Sequence, residues 1–168
     1  TATRMGEWTS DSTWNQNSIP GPNDTVVVNG YEVTLSGTDI LTIKRLELSN
    51  TAGATKLKLD GALSLTVTGD VVATAFSYEN HEELELKHGA TLTVQGNMMF
   101  SRSSNNSEDY SLKLEIRNDS KVYVNGEFHF DYKNSGPEED NEEIYINNTG
   151  LLDVSGDTYI YVRDGGSD

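Results

Sequence analysis

Four glycines set a period in this chain that few folds can accommodate. Gly69, Gly96, Gly126 and Gly156 stand 27, 30 and 30 residues apart. Two residues before them are Val67, Val94, Val124 and Val154, and four before are Leu65, Leu92, Val122 and Leu152. Ten before are Leu59, Leu86, Ile116 and Ile146, and twelve before are Leu57, Leu84, Leu114 and Ile144. Every one of these positions is aliphatic. After each glycine, the second and fourth positions give Val71/Ala73, Met98/Phe100, Phe128/Phe130 and Thr158/Ile160. Apolar residues alternating with polar ones in short bursts mark strands buried on one face, and helical spacing fits nowhere. Turn residues divide the bursts: Asp60-Gly61, His88-Gly89, Asn118-Asp119 and Asn147-Asn148 between the first and second strands, the anchoring glycines between the second and third.

A three-strand unit recurring in register predicts a solenoid coil. The expected fold is all-β, a single-stranded right-handed parallel β-helix of about five coils, stacked about 4.8 Å apart. Short strands with turns also suit a jelly roll or another β-sandwich; the in-register repeat decides for the solenoid. Gly37, with Leu35 and Val33 before it, carries the pattern backward. This places the first coil in residues 25–50, with Leu41, Ile43, Leu46 and Leu48 on its later strands. Residues 1–24 are expected to cap the open N-terminal end, with Trp8, Trp14, Ile19 and Pro20 over the core. Residues 25–168 form the coils. The closing Arg163–Asp168 segment offers no comparable cap, so the chain reads as part of a longer protein.

The register also aligns charges. Lys58/Glu85, Asp60/Lys87, Glu83/Lys113 and Lys113/Glu143 fall opposite one another on adjacent coils, with Glu85/Glu115 a like-charged mismatch.

Composition narrows the function. Asp and Glu number 27 against 12 Lys and Arg, a net charge of -15. That argues against nucleic-acid partners, which require a basic footprint, and against docking on anionic membranes. No apolar stretch reaches the roughly 18 residues of a membrane helix, so no direct membrane insertion is expected. The absence of cysteine excludes disulfides, thiol catalysis and cysteine-bound metal. The charge is uneven: residues 1–70 carry a net -3 and residues 71–168 a net -12.

Excursions between the third strand of one coil and the first of the next, at Ser77–Glu83, Arg102–Ser111 and Tyr132–Glu143, gather at one corner. Such insertions are solvated loops or a binding surface. Glu108, Asp109, Glu138, Glu139, Asp140 and Glu142 on them supply hard oxygen ligands of the kind Ca²⁺ takes, without EF-hand or glycine-aspartate nonapeptide spacing. No cofactor is required by the pattern, and calcium is the one it would accommodate. A second candidate lies on the outward side of the third strands. Met99, His129 and Tyr159 share one column and Ser101, Asp131 and Tyr161 the next. His129, Asp131, Tyr159 and Tyr161, together with Tyr123, are the candidate ligand-binding residues, since exposed aromatics hold sugars or partner proteins. Packing of Tyr159 and Tyr161 on the following module or a loop is the reading the pattern favours over ligand binding. No nucleophile elbow or Ser/His/Asp signature is present.

The N-terminal segment carries a resemblance. Gly6-x-Trp8, Ser12-Thr13-Trp14, Ile19-Pro20, Asn23-Asp24-Thr25-Val26 and Val33-Thr34-Leu35 resemble the start of β-solenoid modules, G8-like in their opening, from large secreted and cell-surface proteins of Bacteroidota such as adhesins. Gly61-Ala62-Leu63 and Gly89-Ala90-Thr91-Leu92-Thr93-Val94-Gln95-Gly96 are similar to the repeats that follow such starts. The resemblance implies an extracellular or cell-surface location, a non-enzymatic structural or adhesive role, and cell-surface protein, glycan or neighbouring modules of the same chain as partners. A carbohydrate-binding module is the alternative. A polysaccharide lyase or hydrolase ranks behind both, because the few basic residues align with acids. A calcium titration followed by thermal melting tests the metal reading: a site raises the melting temperature with added Ca²⁺, and unchanged melting removes it.

Overall fold

The computed structural model describes residues 1–76, 81–102, 111–134 and 143–164. The chain opens with a short strand, β1 (Gly6–Glu7), and a 3₁₀ turn at Asp11–Thr13. The first coil is β2 (Thr25–Asn29), β3 (Glu32–Ser36) and β4 (Ile40–Ile43), and the second is β5 (Arg45–Ser49), β6 (Thr55–Asp60) and β7 (Ser64–Val67). The third is β8 (Val71–Ala75), β9 (His81–Lys87) and β10 (Thr91–Val94), and the fourth is β11 (Met98–Arg102), β12 (Ser111–Arg117) and β13 (Lys121–Val124). The fifth is β14 (Phe128–Asn134), β15 (Glu143–Asn147) and β16 (Leu151–Val154), followed by β17 (Thr158–Asp164). Among the described residues the paired strands are all parallel and form three sheets: A (β1-β3-β6-β9-β12-β15), B (β4-β7-β10-β13-β16) and C (β2-β5-β8-β11-β14-β17). The all-β solenoid of about five coils expected from the repeat is therefore the observed fold.

The register of the four later repeats follows the glycine alignment. Leu57 pairs with Leu84, Leu84 with Leu114 and Leu114 with Ile144. Leu65 pairs with Leu92, Leu92 with Val122 and Val122 with Leu152. These columns are fully buried up to the fourth coil. On sheet C the inward residues grow from Val71 and Ala73 to Met98/Phe100 and Phe128/Phe130, whose rings pack with centroids 5.5–6.5 Å apart.

The glycines mark corners where consecutive coils touch through their main chains. The Gly96 N–H donates to the Gly69 carbonyl at 3.0 Å, and Gly126 to Gly96 at 3.0 Å. A Cβ on Gly126 would sit 2.6 Å from the Gly96 carbonyl oxygen, and one on Gly156 2.5 Å from that of Gly126. Beside them, the Asp70 side chain accepts from the Asn97 N–H at 2.9 Å, and the Asn97 side chain accepts from the Glu127 N–H at 2.9 Å.

The backward extension from Gly37 is one strand out of step. Val33 and Leu35 pair with Leu57 and Leu59, so Gly37 is the counterpart of Gly61, not of Gly69. Leu41 and Ile43 pair with Leu65 and Val67, while Leu46 and Leu48 lie on the next strand against Val71 and Ala73. At this corner Lys44 stands in the glycine's place, its carbonyl accepting from Gly69 N–H at 2.8 Å. The corner is also one residue shorter than its successor, so no glycine marks it.

The N-terminal end is closed by Trp8 and Trp14, 0% and 2% exposed, in edge-to-face contact at 5.0 Å. The Trp14 Nε1–H donates to the Trp8 carbonyl at 2.8 Å. Strand β1 adds to sheet A through Gly6–Val33 pairing. Ile19 departs from expectation: it is 46% exposed, because the two indoles and Ala2 already fill the end. At the other end the inward Ile146 and Ile160 are 44% and 56% exposed.

The expected excursions are shorter than their sequence limits. His81, Glu82 and Glu83 belong to β9 and pair with Ser111, Leu112 and Lys113, while Tyr132–Asn134 continue β14 against β17. Glu82 is turned inward, in one column with Thr55 and Leu112, and is fully buried. Neither carboxyl oxygen is satisfied by a well-formed hydrogen bond, and the Thr74 main chain beside it offsets only part of the desolvation. Burial pushes its pKa up to about 8.

Two outcomes follow. Gly126→Ala is expected to destabilise the fold by about 1–3 kcal/mol in denaturant melts, since the added methyl meets rigid main chain. Between pH 4.5 and about 8 Glu82 is neutral in the folded chain and ionises on unfolding, so stability that is fully present below pH 4.5 is lost as pH rises toward about 8. At pH 7 the loss is about 3 kcal/mol. Glu82→Gln should therefore melt above the native chain at pH 7 and level with it at pH 4, and equal melting at both pH values would refute the buried carboxyl.

Candidate functional site

Sheet A turns its outer face into a closed charge lattice. Lys56 Nζ lies 3.0 Å from Glu83 and 2.9 Å from Glu85, and Lys87 lies 3.3 Å from Glu85 and 3.8 Å from Asp60. Lys113 bonds Glu115 at 2.8 Å and Glu143 at 3.3 Å. The mismatch expected from the register is real: Glu85 sits directly opposite Glu115. Each is neutralised separately, Glu85 by Lys56 and Lys87, Glu115 by Lys113 and Arg117. Partial burial disfavours the Glu85 charge, but the two lysines outweigh it and hold its pKa below the usual range. Asp60 is likewise held low against its burial by His88, Lys58 and Lys87. The Arg117 guanidinium also lies 5.0 Å from the Tyr145 ring. Most of the described charges on this face are thus paired within it.

Sheet C differs. Because Met98, Phe100, Phe128 and Phe130 point inward, strict alternation turns Met99, Ser101, His129 and Asp131 outward. Val72 pairs with Met99, Met99 with His129 and His129 with Tyr159. In the parallel column Thr74 pairs with Ser101, and Asp131 with Tyr161. The aromatic rings line up. His129 and Tyr159 stack with centroids 4.6 Å apart and planes 25° apart. Tyr159 and Tyr161 are parallel to within 9° at 6.2 Å, and His129 and Tyr161 lie 6.4 Å apart. A 4.6 Å stack between adjacent strands directs the ring normals along the solenoid axis, so the two tyrosines lie side by side as one ledge.

Carboxylates border the ledge. Glu127 Oε2 is 2.8 Å from His129 Nε2, and the Tyr159 hydroxyl donates to Asp157 at 3.1 Å. That hydrogen bond, with the charge behind it, raises the Tyr159 pKa above its ordinary value. Beside the ledge an open depression of about 260 Å³ is lined by Val72, Met99, Ser101, His129, Asp131 and Tyr161, with Phe100 in its floor. A second hollow of about 200 Å³ lies beside the cap, walled by Trp14, Asn15, Ser18, Pro20 and Asp24, and carries none of the sequence candidates.

The structure thus brings together His129, Asp131, Tyr159 and Tyr161. It does not bring Tyr123 to them: that residue is on β13 in sheet B, between Thr93 and Asp153. Glu108, Asp109, Glu138, Glu139, Asp140 and Glu142 lie outside the described residues. Among the described residues no three His, Asp or Glu side chains group as a metal site. Val72 is a contributor the sequence reading left out, although period-two alternation already sets it beside Met99.

What this surface offers chemically is flat ring area, thioether and valine carbons, and hydrogen-bond acceptors, all on paired strands that fix their positions. No protein-family model, curated protein or solved structure matches the chain.

Proposed function

We propose that the chain is a non-enzymatic structural and adhesive module of a secreted or cell-surface bacterial protein, of the β-solenoid kind that its N-terminal motifs resemble. The observation that supports this reading is the Tyr159–Tyr161–His129 ledge, held outward on a stack of fully paired coils. Tyr159 and Tyr161 are 36% and 50% exposed, large aromatic surfaces of the sort interfaces concentrate. The coils beneath make a stiff rod, since each strand's register is fixed by its neighbours and the aliphatic columns run through it. A spacer that also presents a contact face suits a surface protein, and the extracellular location is part of the proposal. Cell-surface glycans or proteins, and further modules of the same polypeptide, are the partners it implies.

Beads coated with the chain and passed over a panel of bacterial and animal cell surfaces test the reading. Retention above an uncoated control is expected, with at least a tenfold loss in the Tyr159→Ala/Tyr161→Ala double variant at unchanged melting temperature. No retention by the native chain, or equal retention by the variant, would overturn it.

A further inference from the structure

We infer that the depression beside the ledge forms a binding site for a neutral glycan, one pyranose ring seated in it against Tyr161. This rests on the reading of the ledge as the adhesive face. Four features of the site select that ligand class.

The first is size. An open hollow of about 260 Å³ is smaller than the roughly 300–1,000 Å³ of pockets that enclose drug-sized ligands. It accommodates one sugar ring resting against the sheet, with the rest of the chain continuing over the surface.

The second is shape. The Tyr161 ring, parallel within 9° to that of Tyr159 at 6.2 Å, forms an aromatic wall of the hollow. The negative faces of aromatic rings attract the weakly positive C–H hydrogens on the apolar face of a pyranose. Val72 and Met99 supply further apolar floor beside them.

The third is polarity. Asp131 and Ser101 line the hollow, and Glu127 and Asp157 stand at the ledge's edge. Carboxylates accept hydrogen bonds from vicinal hydroxyls. Glu127 and Asp157 oppose uronates, sulfates and sialic acids, which makes the expected glycan uncharged.

The fourth concerns the competing partner, an extended peptide. The hollow's floor is on β8, β11 and β14, each paired along both edges, so no peptide can add to them; β17, which carries the tyrosines, is the outer strand among the described residues, and a peptide added to its edge would lie beside the hollow rather than in it.

Isothermal titration with neutral oligosaccharides (chito-, manno- and cello-oligomers) and with polygalacturonate tests the assignment. At least one neutral series is expected to bind with a dissociation constant between micromolar and millimolar. Tyr161→Ala should weaken binding tenfold or more and Asp131→Asn severalfold, while Tyr123→Ala on sheet B leaves it unchanged. Polygalacturonate should not bind. Absence of binding by every neutral series, unchanged binding by Tyr161→Ala, or equal binding of polygalacturonate would overturn the inference. Cell-surface retention separates it from the broader reading. If retention depends on the tyrosines while no neutral glycan binds, the ligand assignment fails and the adhesive face stands. If retention is absent as well, both fail.

Discussion

Successive coils approach so closely at one corner that main chain meets main chain. Gly69, Gly96, Gly126 and Gly156 form a column whose N–H groups donate from coil to coil, and the space a Cβ would need is already held by carbonyl oxygen. That contact fixes the interval between coils to that of a parallel β-ladder. With the interval fixed, each position in a coil lies directly above its counterpart in the last. Side chains then stack in columns, and each column must satisfy one environment along the rod.

Columns of aliphatics meet this demand easily; columns of charge do not. A lattice that repeats in register brings like residues together, as Glu85 and Glu115 show. The solution on sheet A is diagonal: lysines two residues away along the strand, or one coil up or down, reach each carboxylate. Such pairs contribute little individually where solvent reaches them. Their value lies in neutralising the like charges that the repeat brings together. Glu82 is the exception, an acid in an interior column with no cation near enough to form an ion pair among the described residues.

Much of this was legible beforehand because a solenoid writes its geometry into the sequence once per coil. The sixteen aliphatic positions, the three bursts and the tryptophans of the cap all follow from burial acting on a fixed period. What escaped the reading escaped for local reasons. Lys44 replaces the marker glycine at a corner one residue shorter, so Gly37 drew the first coil one strand out of step. Glu82 looked like part of a solvated acidic run, although extending the alternation two residues upstream of Leu84 places it inward, beneath Leu112 and above Thr55. Tyr123 was grouped with residues of another face because a shared residue type says nothing about which of three sheets carries it. The columns of His129 and Asp131 were readable, but ring orientation, and therefore the ledge, was not.

The direction of the ladders has a mechanical meaning. Hydrogen bonds between coils run along the rod, so a load applied lengthwise to whole coils pulls on the bonds of three strands at once. A load applied to the chain itself at β17 meets only one strand edge, and the bonds to β14 open in succession. The same molecule is thus strong as a strut and weak as a zipper. Which behaviour prevails depends on where the force enters: through the side chains of the ledge it is shared with the sheet beneath, and through the backbone of β17 it concentrates on a single strand.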